Sequence, residues 1–574
     1  MLKNNIKTIE QIIAQKKSGL ILLIISLLLY FLVKLPFNLS VTCASSNEGF
    51  YFVFSQYLLD MHKFDFIRGP LFIFIYAFVL KLLGFNTYSI VAIHFLQTFT
   101  VIMIGISLFY LGKVLLKSSF FAGLTVLFWI LLQLTPIGGW GAEREFESTF
   151  ALEGEYFCVL FSVWSLICLL NVSGKNKSLY FLAGIYAGLS FASKASGIII
   201  VLAFICWCFY LLLFFRNLFL TRIFGLFVFI VGFLLCVLLF SFALSLLNVE
   251  PLSFWRDSFL IGSYLKNYLS SPSGFFASVI KFMTRDSKSL SNLILFFLAF
   301  ISILWGFLRI CILKIKKNDF TEIFWSLLSI WGIGNIFAVI SPGVYGSYYY
   351  ILVWPAVSIF ISLFLRDLIL YVSSFQMKII KVLITVFILF FFVCRISIVF
   401  PAYCKLARFY INLNIFSQPQ SFQDPVILPY SPAPKNRTLG LKISDLINSL
   451  LPNKNDKFYI FNFFKNFPPF SPNIYIYAKR PCQTSILSDH LLVKNICEDR
   501  AEELYKVLTD SPPKIIVLPR LNYISKEALP LLNPFLDKIN IFFKKNYHFL
   551  RSFEVFNFND PNEAPETCNI YERN

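Results

Sequence analysis

From Ser18 to Asn38 the chain reads SGLILLIISLLLYFLVKLPFN. A helix of about 20 apolar residues crosses the roughly 30 Å hydrocarbon core of a bilayer, so this stretch is long enough to span one. Lys16 and Lys17 stand just before it, in the basic-then-apolar order that a secretory leader also has. No small-x-small cleavage pattern separates the apolar end from Ser40, which makes the run a retained first helix. Ala44-Ser45-Ser46 further on leaves cleavage open as an alternative.

Runs of the same kind recur to about residue 400. Of the 574 residues 57% are hydrophobic and 14% charged, against about 25% charged in an ordinary soluble domain. Phe alone contributes 70 residues. No soluble interior hides that much apolar surface, so the bilayer is the solvent for most of the chain. The formal charge of +19 would suit a nucleic-acid partner if it were gathered on one face. Instead Lys and Arg occur in short clusters between apolar runs, where they set topology. The twelve cysteines are scattered and lack the spacing of a zinc site. Cys482, Cys497 and Cys568 lie in the polar tail, where a disulfide among them is open.

Basic residues in short loops stay on the cytoplasmic side. They mark the N-terminus (Lys3, Lys7, Lys16, Lys17) and then alternate turns: Lys113 with Lys117, Lys175 with Lys177, Arg216 with Arg222, Lys314 to Lys317, and Arg366 with Lys378. The spans between them fall near 18–38, 87–112, 118–136, 152–171, 179–193, 196–215, 223–247, 291–312, 321–340, 348–365 and 378–397. The expected fold is a polytopic α-helical membrane protein of about eleven transmembrane helices, N-terminus inside and C-terminus outside. Residues 1–400 form the transmembrane domain. Residues 401–574, richer in Pro, Asn, Lys and Asp, form a small extracytoplasmic α/β domain. Its strands are expected at Lys457–Asn462 and Lys514–Leu518 and its helices at Asp499–Thr509 and Lys526–Lys538.

Three outer segments exceed what a connection needs. Ser40–Asn86 contains two apolar runs, Glu48–Met61 and Pro70–Leu83, each too short to span and read as interfacial helices. Gly138–Ala151 is rich in Glu around Arg144, and Asn248–Asn292 holds Trp255, Arg256, Tyr264 and Arg285. The chemistry-bearing residues gather here. Glu48, in Ser46-Asn47-Glu48-Gly49-Phe50-Tyr51, sits at the membrane-water boundary, where a lipid-linked head group would also lie. Burial there would suit a general base, while an acidic residue favoured by a helix N-terminus would look the same.

Glu143, Glu145 and Glu147 fit salt-bridging with Arg144 in a solvated loop. Glu153 heads a span, where an acidic group is costly and reads as functional. Arg68, Lys194 and Arg256 supply positive charge on the same side, suited to a phosphate leaving group, although each could instead snorkel to lipid phosphate. Lys194 is set apart by lying at an outer helix junction, which the positive-inside rule disfavours. There is no phosphate-binding loop, no H-E-x-x-H, no G-x-S-x-G and no D-x-D, and His62, His94, His490 and His548 are too dispersed to read as a metal site. No cofactor or metal is implied, and a divalent cation is left open.

The order of these motifs resembles the GT-C superfamily of membrane glycosyltransferases, in particular the branch of protein O-mannosyltransferases and lipid A aminoarabinose transferases. The resemblance covers roughly residues 18–400. Its sharpest part is Asn47-Glu48-Gly49-Phe50-Tyr51, then Asp65-Phe66-Ile67-Arg68-Gly69-Pro70-Leu71, then Leu82-Leu83-Gly84-Phe85. Leu152-Glu153 is similar to the second acidic site. Gly184 and Gly188 followed by Phe191-Ala192-Ser193-Lys194 are similar to the Gly-rich fifth helix. Ser341-Pro342-Gly343, Tyr348-Tyr349-Tyr350 and Pro355 resemble the late outer turn, without the His that many relatives carry there.

The resemblance implies inverting transfer of a sugar from a polyprenyl-phosphate donor to a lipid, glycan or protein acceptor on the outer face of the cytoplasmic (inner) membrane. Glu48 and Glu153 would be the catalytic carboxylates, and Arg68, Lys194 and Arg256 would bind the donor phosphate. Asn47, Tyr51, Arg144, Tyr348 and Tyr349 would line the site or hold the acceptor. Asn47 stands where relatives have Asp, and Asn takes no proton at neutral pH. Glu48 then takes over the base, or Glu153 is the principal carboxylate, or the protein is an inactive relative. A lipid-linked-sugar flippase or transporter is the rival of another class, although no internal repeat supports it.

Overall fold

In a computed structural model the described residues are 16–41, 46–59, 69–134, 151–172, 177–247, 249–252, 255, 299–306, 308, 320–340, 347–374, 393, 396–397, 399–408, 410–412, 415–416, 432–453, 456–460, 473–480, 497–519, 529–555 and 566–574. The first apolar run folds as α1 (Lys16–Asn38), followed by α2 (Ser46–Leu59) and α3 (Pro70–Leu83). Pro70 opens α3 behind Gly69, where its missing N–H costs nothing. Gly84 ends α3 at φ +82°, a left-handed turn closed by its N–H donating to the Leu80 carbonyl. Asn86 then caps α4 (Thr87–Leu116), its side chain accepting from the Tyr88 N–H. The order continues with α5 (Ser119–Leu134), α6 (Gly154–Leu170), α7 (Ser178–Ser193), a 3₁₀ turn at Ala195–Gly197, α8 (Ile198–Phe214) and α9 (Arg216–Leu246). After α10 (Phe320–Ile340) come a 3₁₀ segment at Ser347–Leu352 and α11 (Trp354–Ser374).

Five helices among the described residues are long and apolar enough to cross a membrane, at Lys17–Asn38, Thr87–Leu116, Ala195–Phe214, Arg222–Leu246 and Phe320–Val339. Their outward faces are apolar, with Leu234, Leu238 and Phe242 of α9 exposed, as a lipid-facing surface requires. The chain is a membrane protein with a mostly helical fold and a small C-terminal sheet.

Two expected spans shift. The stretch 348–365 does not run as one helix, because Pro355 offers no N–H and its ring would strike the preceding turn. Residues 347–352 therefore form a separate 3₁₀ segment and α11 starts at Trp354. The seventh span starts at Arg216 instead of 223, because only Phe215, at φ −142°, interrupts the path from α8 to α9. The added turns carry Arg222, which donates to the Tyr180 hydroxyl at 2.7 Å and lies over the Phe320 ring at 4.3 Å. The span expected at 378–397 lies almost wholly outside the described residues, and that at 291–312 is seen as helix over 299–306.

Helix α7 packs between α6 and α9, and α1 packs on α5 and α4. Without a hydrophobic force between helices in lipid, close approach depends on small residues. A Cβ at Gly184 would run into the Phe229 carbonyl of α9, and one at Gly188 would meet Cys236. Reciprocally, a Cβ at Gly232 of α9 would strike the Phe181 carbonyl. Gly184→Leu is therefore expected to lower stability by about 3 kcal/mol, the upper part of the overpacking range. Thermal unfolding in detergent reads this, with the part-exposed Leu182→Val as a near-silent control.

The tail supplies α12 (Pro432–Leu450), β1 (Phe458–Ile460), α13 (Asn473–Tyr477), α14 (Cys497–Asp510), β2 (Ile515–Pro519), α15 (Leu529–Asn546), β3 (Tyr547–Val555) and β4 (Glu566–Arg573). The sheet order is β1-β2-β4-β3, with β1 and β2 parallel and the rest antiparallel. Both expected strands and both expected helices are present. Strands β3 and β4 are additional, and β4 lies between β2 and β3. Cys568 on β4 is a fully buried free thiol, pushed up to about 12 by burial, so it takes no part in a disulfide. The tail rests on the membrane domain: α13 packs on α2, Tyr410 and Tyr403 pack their rings on Phe37, and the Ile415 N–H donates to the Leu39 carbonyl.

Candidate functional site

At one end of the bundle α1, α4, α6 and α7 meet the buried helix α2, and buried charge gathers there, at Lys34, Glu48, His94, Glu153 and Glu155. On α2, Glu48 and Tyr51 stand one turn apart on one face, and both are essentially inaccessible. Glu48 turns towards α4, where His94 Nε2 lies 3.2 Å from each of its carboxylate oxygens. Lys34 of α1, also fully buried, interacts electrostatically with Glu48. Below them Gln97 Nε2 donates to the Tyr30 hydroxyl at 3.1 Å, and Thr98 Oγ1 donates to Asn38 Oδ1 at 3.0 Å.

The second carboxylate is reached through Tyr51, whose hydroxyl donates to Glu153 Oε2 at 2.5 Å. Glu153 is the N-cap residue of α6, in extended conformation and with no side-chain bond to its own helix, which leaves its carboxylate for Tyr51. Tyr76 of α3 donates to the preceding Leu152 carbonyl at 3.2 Å, and its ring packs edge-on against Tyr51. The helix N-terminus favours negative charge at both Glu153 and Glu155. Glu155, in the first turn of α6 and 1% exposed, is ion-paired with Lys194.

Lys194 follows α7 directly, in extended conformation before the 3₁₀ turn. Its ammonium lies over the Tyr349 ring at 4.3 Å and its side chain is one quarter exposed. Two glycines make this corner. A Cβ at Gly154 would come within 2.7 Å of the Ser193 carbonyl oxygen, and a Cβ at Gly69 would collide with the Ala192 and Ser193 carbonyls. Ser190 joins α6 and α7 beneath it, hydrogen-bonding Ser162 at 2.9 Å and the Cys158 carbonyl at 2.8 Å.

Of the residues singled out in the sequence, Glu48, Tyr51, Glu153, Lys194 and Tyr349 are placed along this one end of the bundle. Tyr51 contacts Glu153 and Lys194 contacts Tyr349. Arg68, Arg144 and Arg256 lie outside the described residues, as do the side chains of Asn47 and Tyr348. Trp255, next to Arg256, stacks on Phe191 at 4.9 Å. Lys34 and His94 are partners that the sequence reading passes over, and Glu155 is one that it leaves without a role. Lys34 carries a signal that could have found it, a cation within an otherwise apolar span. Among the described residues no group of three or more His, Cys, Asp or Glu could hold a metal ion.

The arrangement pairs buried carboxylates with a partly exposed cation. That combination can accept a proton at one point and neutralise an anionic leaving group at another.

No family profile matches the chain, and no curated protein matches it. Solved structures do. The crystal structure of ArnT from Cupriavidus metallidurans bound to undecaprenyl phosphate is 12% identical, with 97% of this chain and 98% of that one covered and a TM-score of 0.49. The archaeal oligosaccharyltransferase AglB from Archaeoglobus fulgidus, in complex with an inhibitory peptide and a dolichol-phosphate, is 12% identical over 97% of this chain and 74% of that one, at a TM-score of 0.47. The A. fulgidus oligosaccharyltransferase tethered to an acceptor peptide is 13% identical over 96% and 74%, at 0.49.

Proposed function

We propose that the chain transfers a sugar from a polyprenyl-phosphate donor to a lipid, glycan or protein acceptor at the outer face of the inner membrane. Its helices cross about eleven times, N-terminus inside, and the domain after residue 400 lies outside. The α2 and α3 helices lie along the interface. Glu48 takes the proton of the acceptor hydroxyl as that oxygen attacks the anomeric carbon. The bond from that carbon to the phosphate breaks, and its electron pair leaves with the polyprenyl phosphate, so the configuration inverts. Glu153, held by Tyr51, positions the acceptor. Lys194, oriented by Glu155 and Tyr349, neutralises the departing phosphate, with Arg68 and Arg256 as further cations of that role and Arg144 near the acceptor.

The observation that carries this reading is the Tyr51–Glu153 hydrogen bond beside the Lys194–Glu155 ion pair, which gathers the helix of Glu48, two carboxylates of α6 and the cation at the end of α7. The full chain in nanodiscs is incubated with a panel of undecaprenyl-phosphate-linked hexoses and pentoses, and released undecaprenyl phosphate is measured. Release from at least one donor is expected. Lys194→Gln should lower that release on the order of 100-fold, as loss of one charge-stabilising donor does elsewhere. No release from any donor, or passage of intact donor across the bilayer, would sink the proposal.

A further inference from the structure

The mechanism leaves unused the residue that touches Glu48 most directly. His94 is 3% exposed on α4, and its Nε2 lies 3.2 Å from both carboxylate oxygens. Its other ring nitrogen, Nδ1, is buried and has no hydrogen-bond partner among the described residues. A hydrogen on Nδ1 would be a buried donor with nothing to receive it, which is costly. A bare Nδ1 costs less, and it leaves the hydrogen on Nε2, pointing at Glu48. Lys34, itself fully buried, is a second, electrostatic neighbour of Glu48. What His94 adds is direction. An ammonium is a point charge with rotatable donors, whereas a planar ring N–H donating to Glu48 Oε2, with Oε1 within 3.2 Å of the same nitrogen, constrains the direction of the carboxyl group.

We infer that His94 is a positioning residue of this site: a neutral imidazole whose Nε2–H locks the orientation of Glu48 against α4. This rests on the reading of Glu48 as a site carboxylate. It gives the α4 helix a part in the chemistry through its contact with Glu48.

The chain has four histidines, so ¹⁵N-histidine labelling of the full protein in lipid gives a readable spectrum. The His94 signal is assigned by its loss in His94→Gln. The expected result is an imidazole protonated on Nε2 at neutral pH, whose ¹⁵N shifts move in Glu48→Gln and stay fixed in Lys514→Gln, a remote control in the tail. A proton on Nδ1, or shifts indifferent to Glu48→Gln, would overturn the inference.

In the undecaprenyl-phosphate release assay, His94→Phe, which keeps the volume and loses the donor, is expected to lower turnover at least 10-fold without raising the KM for donor. His94→Gln, which restores an N–H, should return most of it. Full turnover in His94→Phe while Glu48→Gln is dead would overturn the positioning role and leave the reading of Glu48 standing. Full turnover in Glu48→Gln would remove that reading, and the ¹⁵N spectra would still decide whether His94 holds Glu48. Should His94→Phe fail to fold, the spectra of the unaltered protein and of Glu48→Gln carry the test.

Discussion

Glu48→Gln is expected to cut release of undecaprenyl phosphate by about 10²- to 10⁴-fold, the range that general acid–base groups contribute, and Glu153→Gln, which misplaces the acceptor, by about 100-fold. Both substitutions keep the size of the side chain and remove the capacity to take a proton. Both carboxylates are buried, at 0% and 1% exposure, and their partners distinguish them. Glu48 faces His94 and interacts with the buried Lys34, so the Gln variant removes that interaction and should also destabilise the end of α1 that carries Lys34. Glu153 faces a neutral hydroxyl, so Glu153→Gln should leave folding nearly intact. Tyr51→Phe removes that hydroxyl alone and is expected to cost about 10-fold, the value of one hydrogen bond to a charged group. Thermal unfolding beside the release assay separates the two effects. Activity surviving in both Gln variants would mean that the chemistry lies elsewhere.

The mostly helical membrane fold was legible from the apolar runs, five of which form helices long and apolar enough to cross a membrane. The same sequence logic placed α1 to within two residues of its observed N-terminus. Boundaries slipped where a local backbone rule outweighed hydropathy, as at Pro355, or where a helix outran the hydrocarbon, as at Arg216 to Arg222. In the site, Glu48 and Glu153 stood out because acidic residues are rare in such company. Their partners did not. His94 sits 46 residues from Glu48 in the chain, and only the crossing of α2 over α4 brings them together. Gly154 and Gly69 were visible as letters, but their common packing against residues 192–193 is a property of three segments at once. In the tail, β3 and β4 pair mainly with each other and with β2, and such pairings carry no local periodicity as clear as that of a spanning helix.

Arg480→Ala is expected to loosen α2 from a distance. Arg480 follows α13 and is 5% exposed. Its guanidinium donates to the Asn453 carbonyl at 2.7 Å, the Asp456 carbonyl at 2.9 Å, the Leu451 carbonyl and Asn448 Oδ1 at 3.2 Å. One planar fork thus ties the end of α12 and the approach to β1 to the end of α13, a geometry a lysine cannot reproduce. Tyr475 of α13 adds a tie by accepting the Ile460 N–H at 2.9 Å. Truncating Arg480 strands the buried Leu451 carbonyl and removes the part-buried bonds to Asn453 and Asp456, at a cost of about 1–3 kcal/mol. Since α13 packs on α2, the helix of Glu48 and Tyr51, the loss should propagate to the site. Hydrogen exchange is expected to rise across 473–480 and 46–59 together, with release activity falling about 10-fold and α4 to α9 unchanged. Arg480→Lys should recover only part of the protection. Faster exchange confined to the tail, with 46–59 as protected as before, would show that the tail folds beside the site without supporting it.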